Sequence, residues 1–430
     1  MDKILIEYEL NPTTWVYLSS LIMIAVYFKF HRFWSVRNLD LIGLIAFAPG
    51  LLLVNRGADQ FGYIWLFCVG ACFLVRLLLD PLMVRRPLLE PNLSASGLTF
   101  MGVALLVFLM CKVATSGPTE GDLQGARWID DLLARRDSPE VQKHLADYGP
   151  GYPLFYIFAH FAGNKLQPSD DASGEARAWA RWYKARTTAI LGHLALVIGI
   201  VLIGYRHFDN IRTGVAAAAL YLLLPYTAQM TPHVDHIIPA ALLVWAVEAY
   251  RRPVVSGLLL GLAGGVVYYP LYLLPLWCSF YWRRGLVRFS VGVALALLLL
   301  AASLAFTSSS LASFVLQLRQ MFGARFLTEA DNLTGFWRYH EDVFRFSVLA
   351  AFVAMCASMT LWPTQKNLGT LLSLSAAVML GVQFWKAHEG GLYMAWYLPL
   401  VILTILRPNL EDRVALSAIS EGWRRRRSSG

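Results

Sequence analysis

The sequence predicts an all-α polytopic membrane protein, and three observations predict it. Of 430 residues, 57% are hydrophobic and 15% charged, against about 25% charge in a typical soluble domain. Apolar runs such as 191–203 and 291–306 are too apolar and too numerous for a soluble core. The alternation of apolar and polar residues that marks a membrane β-barrel is missing.

Taken in order, apolar runs fall at 13–30, 40–54, 61–79, 97–114, 183–203, 214–225, 236–249, 254–267, 268–282, 286–307, 347–362, 368–385 and 393–406. These give about thirteen transmembrane helices when each needs roughly 20 residues, several being short. The pair 254–267 and 268–282 is split because Gly261, Gly264, Gly265 and Pro270 interrupt a run too long for one crossing. The N-terminus lacks the basic-then-apolar order of a cleavable signal. Five cysteines, Cys68, Cys72, Cys111, Cys278 and Cys356, lie within apolar runs and read as small core residues without zinc-site spacing.

The net charge of +9 does not point to nucleic acid. Its positive residues are spread through short loops, as the positive-inside rule demands. Lys29, Arg32, Arg37, Arg76, Arg206, Arg212, Arg251, Arg252, Lys366 and the Arg424–Arg427 run fall on one side, read as cytoplasmic. The N-terminus then faces out and the C-terminus in, as expected for a bacterial inner membrane. The apolar 150–161 segment would break this parity as a span. It is read as a helix lying at the outer surface or dipping partway in.

Four polar loops share the outer face: 115–182, 227–235, 308–346 and 386–392. Loops on one face of a rigid scaffold are a common origin of sites. Glu120 and Asp122 directly follow the fourth span. Asp122 sits at a helix-to-loop junction, where partial desolvation can keep a carboxylate basic enough to accept a proton. The stretch WIDDLLAR reads as a short amphipathic helix, with Asp130 and Asp131 on its solvated face.

His233, Asp235 and His236 crowd the outer end of a span. Two imidazoles and a carboxylate can ligate a metal. Their i, i+2, i+3 spacing does not share one helix face, which favours hydrogen bonds to a substrate and helix capping. Arg319, Arg325 and Arg338 lie on the outer side, where a guanidinium fork suits phosphate oxygens. His340 follows near the next span, and His388 and Glu389 form a pair in the last outer turn. Tyr393, Trp396 and Tyr397 read as an interfacial aromatic belt.

Several stretches carry a resemblance. They are Asp122 after an outward span, YGPGYPLF at 148–155, LPYTAQMTPHVDHIIPAALLVWAVEAYRRP, the glycine-rich SGLLLGLAGGVVYYPLYLLPL, and AHEGGLYMAWYLPL. Their order resembles the GT-C superfamily of integral-membrane glycosyltransferases. It is similar, more narrowly, to the polyprenyl-phosphate-dependent, mannosyltransferase-like enzymes. The resemblance spans about residues 97–408. It departs at Tyr268 and Tyr269, where the family often has a lysine or another polar residue. It departs also at GYPL, where one proline is displaced to Pro150.

The resemblance implies a three-helix N-terminal unit at 1–96, a catalytic core at 97–408 and a basic tail at 409–430. It implies a polyprenyl-phosphate sugar donor, a glycan, lipid or protein acceptor, and inversion at the sugar. Asp122 takes the role of general base. Tyr148, Tyr152 and the outer Glu120, His233, Asp235, His236, Arg319, Arg325, His340, His388 and Glu389 fall to substrate binding. No cofactor is required, and a divalent metal is compatible. Competing readings are a lipid-linked polysaccharide polymerase or ligase, a transporter or flippase, and a non-catalytic scaffold. A transporter places ionisable groups near the bilayer midplane, whereas these span interiors are almost free of charge.

Overall fold

The computed structural model describes residues 11–83, 90–116, 120–133, 148–162, 174–283, 285–308, 310–312, 314–315, 318 and 333–410. Every described element is helical. Six described helices are long and apolar enough to cross a membrane: Val36–Asn55, Asp59–Leu82, Ala95–Thr115, Arg177–His207, Leu286–Ala305 and Leu368–Trp385. Shorter apolar helices run at Pro12–Tyr27, Ile211–Leu223 and Pro253–Val266. The chain is thus a helical, multi-pass membrane protein.

We number the helices α1 (Pro12–Tyr27), α2 (Val36–Asn55), α3 (Asp59–Leu78), α4 (Ala95–Thr115), α5 (Glu120–Leu133), α6 (Ile157–Ala162), α7 (Gly174–His207) and α8 (Ile211–Leu223). They continue as α9 (Pro225–Gln229), α10 (Val234–Glu248), α11 (Pro253–Val266), α12 (Leu274–Tyr281), α13 (Leu286–Thr307), α14 (Asp342–Ser358), α15 (Leu368–Trp385) and α16 (Leu398–Leu406).

Several expected spans are shorter here. The run 268–282 breaks into a 3-10 turn, Tyr269–Leu273, and the eight-residue α12. Pro270 and Pro275 cannot donate to a continuing α-helical ladder. The run 393–406 keeps nine residues as α16. At 1.5 Å per residue that is about 14 Å, half of a bilayer core.

Local chemistry starts the long helices. Ser35 Oγ accepts from Asn38 N at 3.2 Å, and Ser94 Oγ from Gly97 N at 3.2 Å. Asn367 and Thr370 form a reciprocal capping box at the start of α15. That helix is the axis of the bundle: 94% of its apolar window is buried inside the protein, against 17% for α4 at the periphery. Helices α11 and α13 approach closely through glycine. A Cβ on Gly257 would lie 2.2 Å from the Phe289 carbonyl oxygen, and one on Gly292 would lie 2.1 Å from that of Val254. Close backbone approach through small residues is how membrane helices gain contact without a hydrophobic drive.

The first three helices pack into the same core as the rest. Tyr27 Oη donates to the Ala216 carbonyl at 2.8 Å, and Phe67 stacks on Phe336 with centroids 4.1 Å apart. Their charges join it too. Arg76 holds both Asp40 oxygens at 2.9 and 3.0 Å and Asp80 at 2.8 Å. Arg407 holds the other Asp80 oxygen at 2.8 Å. This cluster sits at the N-terminal end of α15, where a Cβ on Gly369 would meet the Arg407 guanidinium.

Three sequence readings are corrected. Trp396 and Tyr397 are 1% exposed, and so belong to the interior and not to an interfacial belt. Cys68, Cys72 and Cys111 are exposed on the outside of the bundle, and Cys356 is the buried one. An apolar cysteine suits the lipid side of a helix as well as the core, so hydropathy does not separate the two. Asp130 stays 34% exposed on the polar face but is paired there and not simply solvated: it meets Lys184, Arg181 (3.8 Å) and His160 (3.3 Å). Trp128 and Ile129 beside it are buried.

Candidate functional site

At the other end of α15 four segments distant in sequence meet. The helix has 18 residues, so its ends are separated by about 27 Å. Its last turn runs into Lys386–Glu389, then Gly391 in the left-handed region at φ 99°. Gln383 Oε1 holds this turn by accepting from Gly391 N at 3.1 Å and Tyr393 N at 3.3 Å. Lys386 is buried, and its Nζ donates to the His388 carbonyl at 2.6 Å. The same ammonium lies 3.8 Å from the Tyr393 ring centroid and 6.0 Å from that of Tyr269. A cation over an aromatic face is attracted by the ring quadrupole.

The second segment is the 231–236 knot. Its His233 is the N-cap of α10, in extended backbone, and Asp235 lies in the first turn. A carboxylate in that position is favoured by the helix dipole. Asp235 and His236 are both buried. His236 Nδ1 lies 2.7 Å from Tyr226 Oη, and its ring lies 4.5 Å from Tyr393 and 5.0 Å from His233. Trp396 Nε1 donates to the Asp235 carbonyl oxygen at 3.1 Å, which ties the knot to the last segment.

The third segment is the end of the glycine-rich α11, and the fourth is the 148–156 loop. Gly149 N donates to the Val266 carbonyl at 2.9 Å and Gly151 N to that of Gly265 at 2.8 Å. Only glycine permits this fit, since a Cβ on Gly149 would sit 2.0 Å from the Gly265 oxygen. Tyr148 stacks on Tyr152 at 4.6 Å, and Tyr152 Oη meets Tyr156 Oη at 2.9 Å. The Tyr393 ring adjoins the Lys386 ammonium at 3.8 Å, His236 at 4.5 Å and Trp396 at 4.5 Å, and Tyr269 packs against Trp396 at 5.4 Å. A narrow apolar crevice adjoins Tyr226, walled by Leu44, Phe47, Leu51, Leu224 and Met394.

The predicted site residues divide accordingly. His233, Asp235 and His236 are brought together with the 386–397 segment, whose first turn carries His388 and Glu389, while Tyr148 and Tyr152 belong to the loop docked on the end of α11. His388 is half-buried and Glu389 exposed, with φ 50°. His340 is exposed at the rim, its ring 4.3 Å from Phe336, and no described contact joins it to the knot. Its segment rests on the 386 turn through Trp337 Nε1, which donates to the Phe384 carbonyl at 3.1 Å. Arg319 and Arg325 lie outside the described residues. Glu120 and Asp122 belong to α5, but their side chains also lie outside what is described. The helix itself is seated against the loop: a Cβ on Gly125, one turn beyond Asp122, would lie 2.5 Å from the Tyr152 ring.

Around Asp130 the loop is tied down by charge. His160, beside it on α6, is pushed below the usual imidazole range, first by burial and then by Lys184, while Asp130 acts the other way. Arg186 donates to the carbonyls of Ala114 and Ser116 and so fixes the point where the chain leaves α4.

Tyr226, Tyr269 and Tyr393 are the site residues that sequence reasoning missed. The signal was present: all three lie beside the knot, the glycine-rich turn or the last outer turn. A cleft of about 600 Å³ lies elsewhere, lined by Tyr205, Arg206, His207, Asp209, Ile211, Glu248, Ala249, Arg251 and Arg252. It is at the far end of the 15-residue α10, about 22 Å from the knot. Its Glu248 is already paired with Arg206. We place the site at the knot because it gathers imidazole, carboxylate and ammonium groups, whereas the larger cleft offers volume. Comparison with known proteins finds no matching family model, no matching curated protein and no matching solved structure.

Proposed function

We propose that this protein is a GT-C-type membrane glycosyltransferase that moves a sugar from a polyprenyl-phosphate donor to an acceptor hydroxyl. The supporting observation is the meeting of His236 and Lys386 at the Tyr393 ring, with Asp235 beside His236. Three stretches that carry the family resemblance, the glycine-rich one, the 231–236 knot and the 386–397 segment, adjoin one another, which supports this reading. On this reading the thirteen-span topology applies, with the N-terminus outside, the C-terminus in the cytoplasm and the site at the outer face of a bacterial inner membrane.

The chemistry follows from the groups. Asp122, by its position, takes the proton of the acceptor hydroxyl, because an alcohol is a poor nucleophile until a base removes it. The acceptor oxygen then bonds to the anomeric carbon from the face opposite the phosphate. The anomeric carbon–oxygen bond breaks, and its electron pair leaves with the polyprenyl phosphate. Lys386, buried and next to Asp235, offsets the charge that develops on that leaving oxygen. Tyr148, Tyr152 and the half-buried His233 supply aromatic faces and hydrogen-bonding groups for the sugar.

The test is transfer from a radiolabelled polyprenyl-phosphate sugar in proteoliposomes. Wild-type protein transfers label to an acceptor. Asp122→Ala loses about 10²–10⁴-fold of the rate, the usual weight of general base catalysis. Transfer that persists unchanged in Asp122→Ala removes the proposed base, and a wild-type protein inert toward every polyprenyl-phosphate donor removes the proposal.

A further inference from the structure

The knot is also built to hold a metal ion. Sequence spacing argued against this, because residues at i, i+2 and i+3 do not share a face of one continuous helix. The structure removes the objection. The helix begins at Val234, and His233 precedes it as an N-cap with φ −79° and ψ 106°. The His233 side chain is thereby released from the helical register. One ligand atom from each of His233, Asp235 and His236 lies within 4.8 Å of the others.

The distances suit a small divalent cation. In a tetrahedral site with bonds of about 2.0–2.1 Å, ligand atoms stand about 3.3 Å apart. Asp235 Oδ2 and His236 Nε2 are already 3.8 Å apart. The orientation of His236 is set from behind. When Nδ1–H donates to Tyr226 Oη, at 2.7 Å, Nε2 presents its lone pair on the Asp235 side. A hydrogen bond on the distal ring nitrogen is the usual support for a metal-binding imidazole.

We infer that His233, Asp235 and His236 bind one zinc-class divalent ion, with coordination room left for an anionic oxygen. Two imidazoles and a carboxylate are the donor set of an open zinc site. Calcium and magnesium favour all-oxygen sets. The charge balance names the fourth ligand. A divalent ion with Asp235 leaves one positive charge, and Lys386 adds another beside the same Tyr393 ring. Two neighbouring positive charges repel until an anion offsets them. A phosphate, bearing one or two negative charges, satisfies both. That the phosphate belongs to a polyprenyl lipid rests on the proposed function, whereas the metal site does not.

The experiment uses the full chain in detergent, stripped with chelator and titrated with zinc by calorimetry, with bound metal counted by mass spectrometry. One zinc per chain is expected. Asp235→Asn and His233→Ala lose it. Tyr226→Phe, which removes the support behind His236, weakens it about 10–100-fold. His340→Ala and His388→Ala keep it, and thermal melting checks that each variant is folded. Lys386→Gln tightens zinc in phosphate-free buffer, because a competing charge is gone. Wild-type protein without stoichiometric zinc, or an Asp235→Asn variant that still binds it, overturns the inference.

A second titration separates the metal from the transfer reaction. A soluble isoprenyl phosphate tightens zinc at least tenfold if the two share the site, whereas inorganic phosphate alone has a smaller effect if the lipid chain adds to binding. Zinc that binds with no response to either phosphate keeps the metal site and overturns its link to phosphate.

Discussion

Two clusters of buried charge stand at opposite ends of the helix Leu368–Trp385, and they are built differently. At its start, Asp40 and Asp80 are gripped by the forks of Arg76 and Arg407 at 2.8–3.0 Å. At its end, Asp235 is flanked by two imidazoles, and Lys386 is met by a carbonyl and the face of Tyr393. The first cluster joins permanent charges in bidentate geometry, which fixes orientation. It ties α2, α3 and the end of α16 together. The second uses groups that can give up or accept ligands and protons. One end of the helix is a fastening and the other a workplace.

The contrast is broken most severely at Asp80. Asp80→Ala leaves the Arg76 and Arg407 guanidinium groups facing each other without their shared carboxylate. Breaking a buried pair in this way costs about 3–5 kcal/mol. A large fall in melting temperature in detergent is expected, and a variant that melts like wild type removes the structural role. Lys386→Gln probes the opposite end. Transfer drops about 10²-fold when one charge-stabilising donor is lost, while melting changes little. Equal losses in both measurements would make this end structural as well.

Gly149→Ala tests how the 148–156 loop reaches the site. Its Cβ would lie 2.0 Å from the Gly265 oxygen, so the loop must lift. Overpacking of this kind costs about 1–3 kcal/mol. Faster hydrogen exchange in 148–156 with the bundle unchanged is the expected readout. The smallest effect falls at Tyr226→Phe. It removes one buried hydrogen bond to His236, worth about 0.5–1.5 kcal/mol. A melting shift beyond that range would show that Tyr226 supports more than the imidazole.

Much of this arrangement was legible in the sequence. Hydropathy marked the helical membrane class, and the polar loops marked where ionisable groups gather. The knot at 233–236 and the turn at 386–389 were both singled out, and they meet. Less legible was which side of an apolar helix faces lipid. Core and bilayer are equally apolar, so Cys68 and Cys356 look alike in sequence yet lie on opposite sides. The same ambiguity hid Tyr393 and Trp396. A tyrosine or tryptophan at a helix end suits the membrane interface, and only the covering of another segment turns it into a site wall. Asp130 was misread because an amphipathic pattern shows a polar face but not the Lys184 and Arg181 that come from far along the chain to meet it.

The central claim is that the end of α15 bearing Lys386 receives the lipid phosphate and the end bearing Arg407 does not. A photoreactive polyprenyl phosphate, crosslinked in proteoliposomes and mapped by peptide mass spectrometry, tests it directly. The account predicts label in 226–236 and 386–396, competed away by unlabelled lipid. Competable label confined to the peptides carrying Arg37, Arg76 and Arg407 would contradict it.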